Sequence, residues 1–320
     1  MRAIEIKDGT LVWGEVPSPV CGAGEVSIAV AASAVNRADL VQASGGYPPP
    51  PGASPILGLE CAGEVTEVGE GVTRFKVGDQ VCALLAGGGY AEQVVVPAGQ
   101  VLPVPEGLSV TQAAALPEVF ATAYLNLYME AQLAPGEKVL LHAGASGVGT
   151  AAIQMLKASG NPCFVTAGSA DKIHRCVELG ADSGHDRHSG GFAEAVQSWS
   201  QGGVDVVLDP VGAAYLADNL SVLALGGRLV VIGLMGGLQS DLNLGALMMK
   251  RLRIIGSTLR ARPIAQKAAV MDALYRDVWP GLASGSIQPI VEAEFKMEQA
   301  QAAHTLVAGN DTVGKVLLTL

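Results

Sequence analysis

The segment Val139-Leu140-Leu141-His142-Ala143-Gly144-Ala145-Ser146-Gly147-Val148-Gly149 follows the pattern G-x-S-x-x-G. It comes directly after an apolar run and directly before a helical one, Gly147–Ser159. This is the spacing of a dinucleotide-binding turn, with Ser146 where a second glycine is usual. The chemistry it supports is the grip on a diphosphate. A helix start offers unpaired N–H groups and a partial positive charge to an anion. Gly144 is expected to allow the tight turn and Gly149 to let helix and strand approach. Ala145, Gly147 and Val148 offer backbone N–H groups, and Ser146 adds a hydroxyl. An ordinary glycine-rich turn in another α/β protein is the competing reading, and context decides against it.

That context is the array which follows. Strand and helix alternate through Cys163–Ala167, Asp171–Leu179, Ala193–Ser200, Val204–Leu208, Ala213–Leu223 and Arg228–Ile232. Alternation of this kind predicts βαβ units and a parallel sheet buried on both faces. The strand Cys163–Ala167 ends in Gly168-Ser169 rather than in the acidic residue that binds a ribose 2′-hydroxyl in NAD sites. Lys172 follows closely, and Arg187 lies in the loop after the next short strand. A small residue with nearby cations suits a 2′-phosphate, which a carboxylate would repel. The expected cofactor is therefore NADPH, although Asp171 stands nearby. Ligands of such sheets lie beyond the carboxyl ends of the strands, which places Gly233, Leu234 and Met235 beside the nicotinamide.

Before residue 115 the chain reads as β-rich. Short apolar runs at Arg2–Ile6, Val26–Ala34, Gly63–Val68, Gln80–Leu85 and Gln93–Val96 are separated by turn pairs such as Asp8-Gly9 and Gly78-Asp79. Pro48-Pro49-Pro50-Pro51 must be a stiff extended loop. Thr111–Leu133 and Pro263–Ala283 read as helical, Arg253–Ser257 as a strand, and the last 30 residues as strand–helix–strand ending on Lys315–Leu320.

With 320 residues, two domains are the prior. The hydrophobic share of 49% against 16% charged residues excludes a disordered chain. A net charge of −10 argues against binding nucleic acid. No apolar run is long enough to span a membrane, and Met1-Arg2-Ala3-Ile4-Glu5-Ile6 is no signal peptide. The five cysteines are scattered without a C-x-x-C pair, which fits reduced thiols in the cytoplasm and neither a disulfide framework nor a zinc lobe. The five histidines lack ligand spacing, so no metal is expected.

Several further segments, in order, carry a resemblance. They are Ala34-Val35-Asn36-Arg37-Ala38-Asp39, Gly45-Gly46-Tyr47-Pro48-Pro49-Pro50, Gly58-Leu59-Glu60-Cys61-Ala62-Gly63, Val77-Gly78-Asp79-Gln80-Val81, the Ala143–Gly149 turn, Val165-Thr166-Ala167-Gly168-Ser169, Asp209-Pro210-Val211-Gly212 and the closing Gly314-Lys315-Val316. The chain resembles the zinc-independent quinone oxidoreductases of the medium-chain dehydrogenase/reductase superfamily, in the zeta-crystallin-like branch. The resemblance implies an α/β protein with two domains: a GroES-like β-rich domain over residues 1–118 and 290–320, and a Rossmann doubly wound parallel-sheet domain over 119–289. It also implies a homodimer or homotetramer. Asn36, Tyr47 and Thr122 would lie near nicotinamide or substrate. Ser169 and Lys172 match residues that hold the 2′-phosphate. Arg187 stands where relatives often carry Tyr, and Lys315 belongs to a segment beside the cofactor. Zinc alcohol dehydrogenases of the superfamily place ligands where this chain has Asn36 and Leu59, and neither side chain replaces a thiolate or an imidazole.

The implied activity is direct hydride transfer from nicotinamide C4 to a quinone or activated double bond in a cleft between the domains. Such acceptors need no Lewis acid because the charge left after hydride addition is delocalised. Asn36 is expected to hydrogen-bond a carbonyl or the nicotinamide ribose, and Tyr47 or water to give the proton. Asp39 is expected to cap a helix beginning near Ala38. Two alternatives stand beside this: an NADPH-dependent reductase of α,β-unsaturated aldehydes or ketones, and a cofactor-binding protein with little turnover. A synthase fragment is disfavoured because the chain begins and ends at domain edges.

Overall fold

Ile28, Val30 and Ala32 are buried and alternate with exposed Ala29 and Ala31, and this period of two buries one face of a long strand. The computed structural model describes residues 1–320. They form two compact units, one of Met1–Ala121 with Leu259–Leu320 and one of Thr122–Thr258.

The first unit opens with a hairpin of β1 (Arg2–Lys7) and β2 (Thr10–Glu15), turned by Asp8-Gly9, both at positive φ. Then come β3 (Glu25–Ala34), α1 (Arg37–Ala43), β4 (Glu60–Val68), β5 (Gln80–Leu84), β6 (Gln93–Pro97) and β7 (Val101–Pro103). Short helices α2 (Val110–Ala113) and α3 (Pro117–Tyr124) follow. The expected single helix over 111–133 is thus interrupted. Pro117 starts a new helix, where its missing N–H costs nothing.

The second unit contains β8 (Val139–Leu141), α4 (Gly147–Ser159), β9 (Cys163–Ala167), α5 (Ala170–Leu179), β10 (Ser183–Asp186), α6 (Ala193–Ser200), β11 (Val204–Asp209), α7 (Leu216–Val222), β12 (Leu223–Val231), α8 (Leu244–Met249) and β13 (Arg253–Gly256). All six strands are parallel, in the spatial order β10-β9-β8-β11-β12-β13. Counted within the unit this is 3-2-1-4-5-6, the doubly wound order whose direction reverses between β8 and β11. Phe164, Leu140, Val207 and Leu229 are paired in register across four strands and form a buried row. Arg228 on β12 donates to both carboxylate oxygens of Glu137, at 2.8 and 2.6 Å, and so ties the segment before β8 to the sheet.

The chain re-enters the first unit with α9 (Ile264–Asp277) and α10 (Trp279–Ala283), then β14 (Val291–Lys296), α11 (Ala300–Ala308) and β15 (Lys315–Thr319). The larger sheet runs β14-β15-β3-β4-β5-β7, with β6 also paired to β3. Residues 259–289, expected in the second domain, belong to the first. Trp279 Nε1 donates to Pro103 O at 2.8 Å, and a Cβ on Gly99 would come within 2.8 Å of Ala268 Cβ. The domain boundary at 289 therefore moves to 258 and the one at 118 to 121. No helix is long and apolar enough to cross a membrane.

Candidate active site

The turn after β8 stands at the reversal of the sheet, the position at which doubly wound sheets bind their ligands. Its left-handed residue is Ala143, at φ 54°. Gly144, expected to allow the tight turn, is needed for room, since a Cβ there would lie 2.6 Å from Val165 Cβ. Gly144 N–H donates to Thr166 O at 2.9 Å, which fastens the turn to β9. Ser146 caps α4, its Oγ accepting from Gly149 N–H at 3.1 Å. The Ser146 hydroxyl keeps its own proton to offer. A Cβ on Gly149 would stand 2.3 Å from Gly144 O and 2.6 Å from Ala143 O, so the helix starts directly on the turn. Ala145 precedes this cap, and Gly147 and Val148 begin the helix, whose first N–H groups have no partner within it.

The next turn joins β9 to α5. Ser169 caps α5, its Oγ accepting from Lys172 N–H at 3.3 Å. A Cβ on Gly168 would be 3.4 Å from Arg187 Nη2, so the guanidinium lies over the glycine. Arg187 Nε donates to His188 Nε2 at 3.3 Å. The exit of β12 is laced to the exit of β11: Gly236 N–H donates to Val211 O at 2.7 Å and Met235 N–H to Pro210 O at 3.3 Å. After Gly233, the side chains of Leu234 and Met235 are about half exposed. The structure thus brings Gly144–Gly149, Gly168, Ser169, Lys172, Arg187 and Gly233–Met235 to the carboxyl ends of one parallel sheet. Thr122 lies on α3, half-buried, its carbonyl accepting from Asn126 Nδ2 at 2.7 Å.

In the first unit, Asn36 is joined to a buried ion pair. Lys315 Nζ lies 2.9 Å from Glu60 Oε1 and donates to Asn36 Oδ1 at 2.7 Å and Val35 O at 2.8 Å. Two ammonium protons are thus hydrogen-bonded and the charge is paired with Glu60. Lys315, expected beside the cofactor, has its ammonium held by these groups of the first unit. Asn36 Nδ2 donates to Glu60 Oε1 at 2.9 Å and to Ala34 O at 3.3 Å. Both amide protons are committed, so Asn36 has no donor for a substrate carbonyl, while Oδ1 faces the Lys315 ammonium and the Asp39 N–H of the capping box. Glu60 Oε2 also accepts Glu118 N–H, at 2.9 Å. Sequence reading quoted Glu60 without a role, because its partners lie 24 to 255 positions away.

The helix expected near Ala38 is α1, entered through Asn36. Asp39 Oδ2 accepts Asn36 N–H at 2.8 Å and Oδ1 accepts Gly58 N–H at 3.0 Å. Burial drives the Asp39 carboxyl up to about 6, against the pull of these N–H groups and of Lys315. Tyr90 joins it to His304 through contacts of 3.3 and 3.2 Å.

Tyr47 belongs to a separate cluster. Arg260, which sequence reading missed, donates to Tyr47 O at 3.2 Å, Ala86 O at 2.8 Å and Gln42 Oε1 at 2.7 Å. Its guanidinium sits 5.3 Å from the Tyr47 ring centroid. Burial, with Glu118 nearby, raises the Tyr47 phenol above its ordinary value despite Arg260, so it carries its proton at neutral pH.

The donor set around Asn36 and Glu60 does not fit zinc. An ammonium already neutralises Glu60, and nowhere do three or more His, Cys, Asp or Glu side chains converge as a metal would require.

Residues 22–106 match the alcohol dehydrogenase GroES-like domain family, and residues 147–274 the zinc-binding dehydrogenase family. A quinone oxidoreductase of Pseudomonas syringae pv. tomato is 30% identical, covering 100% of this chain and 99% of its own, with a TM-score of 0.86. The Escherichia coli quinone oxidoreductase, solved with NADPH, is 28% identical over 100% and 99%, at 0.87. The CurK enoyl reductase is 28% identical over 99% and 98%, at 0.85. The chain belongs to the medium-chain dehydrogenase/reductase superfamily and is an oxidoreductase of that type. Its curated relatives are much longer. Phthioceranic/hydroxyphthioceranic acid synthase of Mycobacterium tuberculosis is 37% identical over 93% of this chain, which spans 14% of that protein.

Proposed function

We propose that this chain is an NADPH-dependent, zinc-independent reductase that transfers hydride to a quinone. The observation that carries the coenzyme reading is the β9–α5 turn: Gly168 and Ser169 in place of a carboxylate, with the Arg187 guanidinium over Gly168. The Escherichia coli relative with NADPH bound supports it. The N–H groups of Ala145, Gly147 and Val148 would hold the diphosphate, and Ser169, Lys172 and Arg187 the 2′-phosphate. When bound, NADPH supplies the hydride. Leu234 and Met235 present apolar surface at the exit of β12, where they exclude water. Asn36 would lie beside the nicotinamide ribose. Tyr47, neutral and braced by Arg260, gives a proton to the reduced acceptor, as water also can.

A second reading is reduction of a carbon–carbon double bond conjugated to a carbonyl. It is favoured by the CurK enoyl reductase and by the synthase relatives. The test is a fluorescence titration with NADPH and NADH, repeated on Lys172→Ala, followed by turnover with a naphthoquinone, an alkenal and a 2-enoyl thioester. NADPH is expected to bind more tightly, with a loss of about tenfold on Lys172→Ala and little change for NADH. NADH binding at least as tightly overturns the coenzyme assignment. Faster turnover of the thioester or alkenal favours the second reading, and NADPH binding without turnover of any acceptor favours a binding protein.

We further propose self-association as a homodimer. β13 is an edge strand with one side unpaired. Leu238, Leu244, Met248 and Met249 near it are 67–80% exposed, an unusual apolar display for a free surface. Sedimentation is expected at twice the 32.6 kDa chain mass, and Met248→Glu with Leu244→Glu is expected to give the single-chain mass. A parent chain that sediments singly removes the proposal. All five cysteines are free thiols, four of them buried, which fits the reducing cytoplasm proposed as its location.

A further inference from the structure

The second unit contains a buried polar chain that coenzyme binding through backbone turns does not by itself require. His142 directly follows β8, immediately before the left-handed Ala143. Its Nδ1 meets Thr166 Oγ1 at 2.9 Å, and its Nε2 meets Asn219 Oδ1 at 2.7 Å. Asn219 Nδ2 donates to Asp209 Oδ2 at 3.1 Å. Asp209 Oδ1 accepts Val211 N–H at 2.7 Å, and both its oxygens accept Gly212 N–H at 3.1 Å. His142, Thr166, Asp209 and Asn219 are each at most 3% exposed.

The chain fixes its own protonation. The amide of Asn219 is oriented by the Asp209 carboxylate, so Oδ1 faces the ring and Nε2 carries the imidazole proton. Nδ1 then accepts from the Thr166 hydroxyl. Burial pushes the His142 imidazolium down to about 4, so the ring is neutral at physiological pH. Phe192 and Tyr215 clasp the ring, each with its centroid 4.7 Å away.

Each end of this chain grips a different part of the strand-end surface. Thr166 also accepts Gly144 N–H on its carbonyl, which fixes the turn that begins α4. Asp209 holds the Pro210–Gly212 turn. A Cβ on Gly212 would lie 3.0 Å from Leu234 Cδ2 and 3.3 Å from Gly233 O, so that turn seats the Gly233–Met235 segment. A single neutral imidazole thus spans the two turns assigned to the diphosphate and to the nicotinamide.

Resting on the NADPH reading above, we propose that His142 is a positioning residue which, through Thr166, Asn219 and Asp209, holds the diphosphate turn and the nicotinamide turn at the separation that the intact dinucleotide requires. The consequence is selective. A ligand that touches only the 2′-phosphate turn does not feel the span. A ligand that bridges both turns does.

The experiment compares NADPH with 2′-AMP, and adds turnover with a naphthoquinone. For His142→Leu the NADPH dissociation constant is expected to rise about tenfold and kcat to fall, with 2′-AMP held within about twofold. His142→Gln can accept from Thr166 and donate to Asn219, and is expected to recover most of the NADPH affinity. Thr166→Val breaks one link without touching the ring and is expected to shift NADPH alone, in the same direction. It carries the test if His142→Leu does not fold. Equal weakening of NADPH and 2′-AMP, or a lowered Tm with both affinities unchanged, overturns the proposal. Failure of the parent chain to bind NADPH is a different result and removes the coenzyme reading itself.

Discussion

Gly149→Ala is expected to lose about 3 kcal/mol or more of unfolding free energy and about a hundredfold in coenzyme affinity. Helix propensity argues the other way, because Gly149 lies inside α4 and alanine there is normally worth about 1 kcal/mol. Sterics decide. The new Cβ would meet Gly144 O at 2.3 Å and Ala143 O at 2.6 Å, and both are backbone atoms of the same turn. No side chain can swing aside, so α4 must lift from β8. That displaces Gly147 and Val148, whose N–H groups the diphosphate needs. Urea unfolding and NADPH titration read the two effects separately. A variant as stable as its parent would mean that the close approach of helix and turn is not real.

The same region shows why part of the fold was legible in the sequence. Helix Gly147–Ser159 and strand Cys163–Ala167 were delimited by local chemistry: a serine cap at Ser146, and Gly160 ending the helix at φ 72°. Alternating apolar runs then gave the parallel sheet. Where local signals were weak, the reading failed. β7 spans three residues, too few for a visible period, and β2 buries only Leu11 among its six residues, so no alternation marks it beside the Asp8-Gly9 turn. Helices α9 and α10 look the same whichever domain they join, so only packing against residues such as Pro103 and Gly99 assigns them to the first unit.

The candidate site divides in the same way. Backbone-built parts, such as the Gly144–Gly149 turn and Gly168-Ser169, are written in consecutive residues and were read. Side-chain networks are not. Asn36, Glu60 and Lys315 come from three distant segments, and His142 meets Asn219 77 positions further on. A lysine in sequence looks like an anion ligand. Whether its protons are available depends on partners up to 280 positions away. Arg260 escaped notice for that reason, since nothing beside it in the chain points to Tyr47.

Lys315→Met separates the two roles that a lysine here can have. If the ammonium held a coenzyme phosphate, the variant would keep its stability and lose affinity. The geometry supports the opposite. The Lys315 side chain is 5% exposed and the Glu60 side chain 0%, and the ammonium is hydrogen-bonded to Val35 and Asn36 and paired with Glu60. Removing it leaves the Glu60 carboxylate buried with only Asn36 Nδ2 and Glu118 N–H as donors. Breaking a buried pair in this way costs about 3–5 kcal/mol, whereas removing both charges costs less. Denaturant unfolding of Lys315→Met is therefore expected to fall by that amount. Lys315→Met with Glu60→Gln is expected to be more stable than the single variant, although Gln brings its own unmatched amide. Affinity for NADPH in the folded fraction is expected to change by less than about threefold, because the diphosphate and 2′-phosphate contacts proposed above lie in the second unit. A stable Lys315→Met chain with weakened NADPH binding would return this lysine to the cofactor and leave Glu60 without its counter-ion.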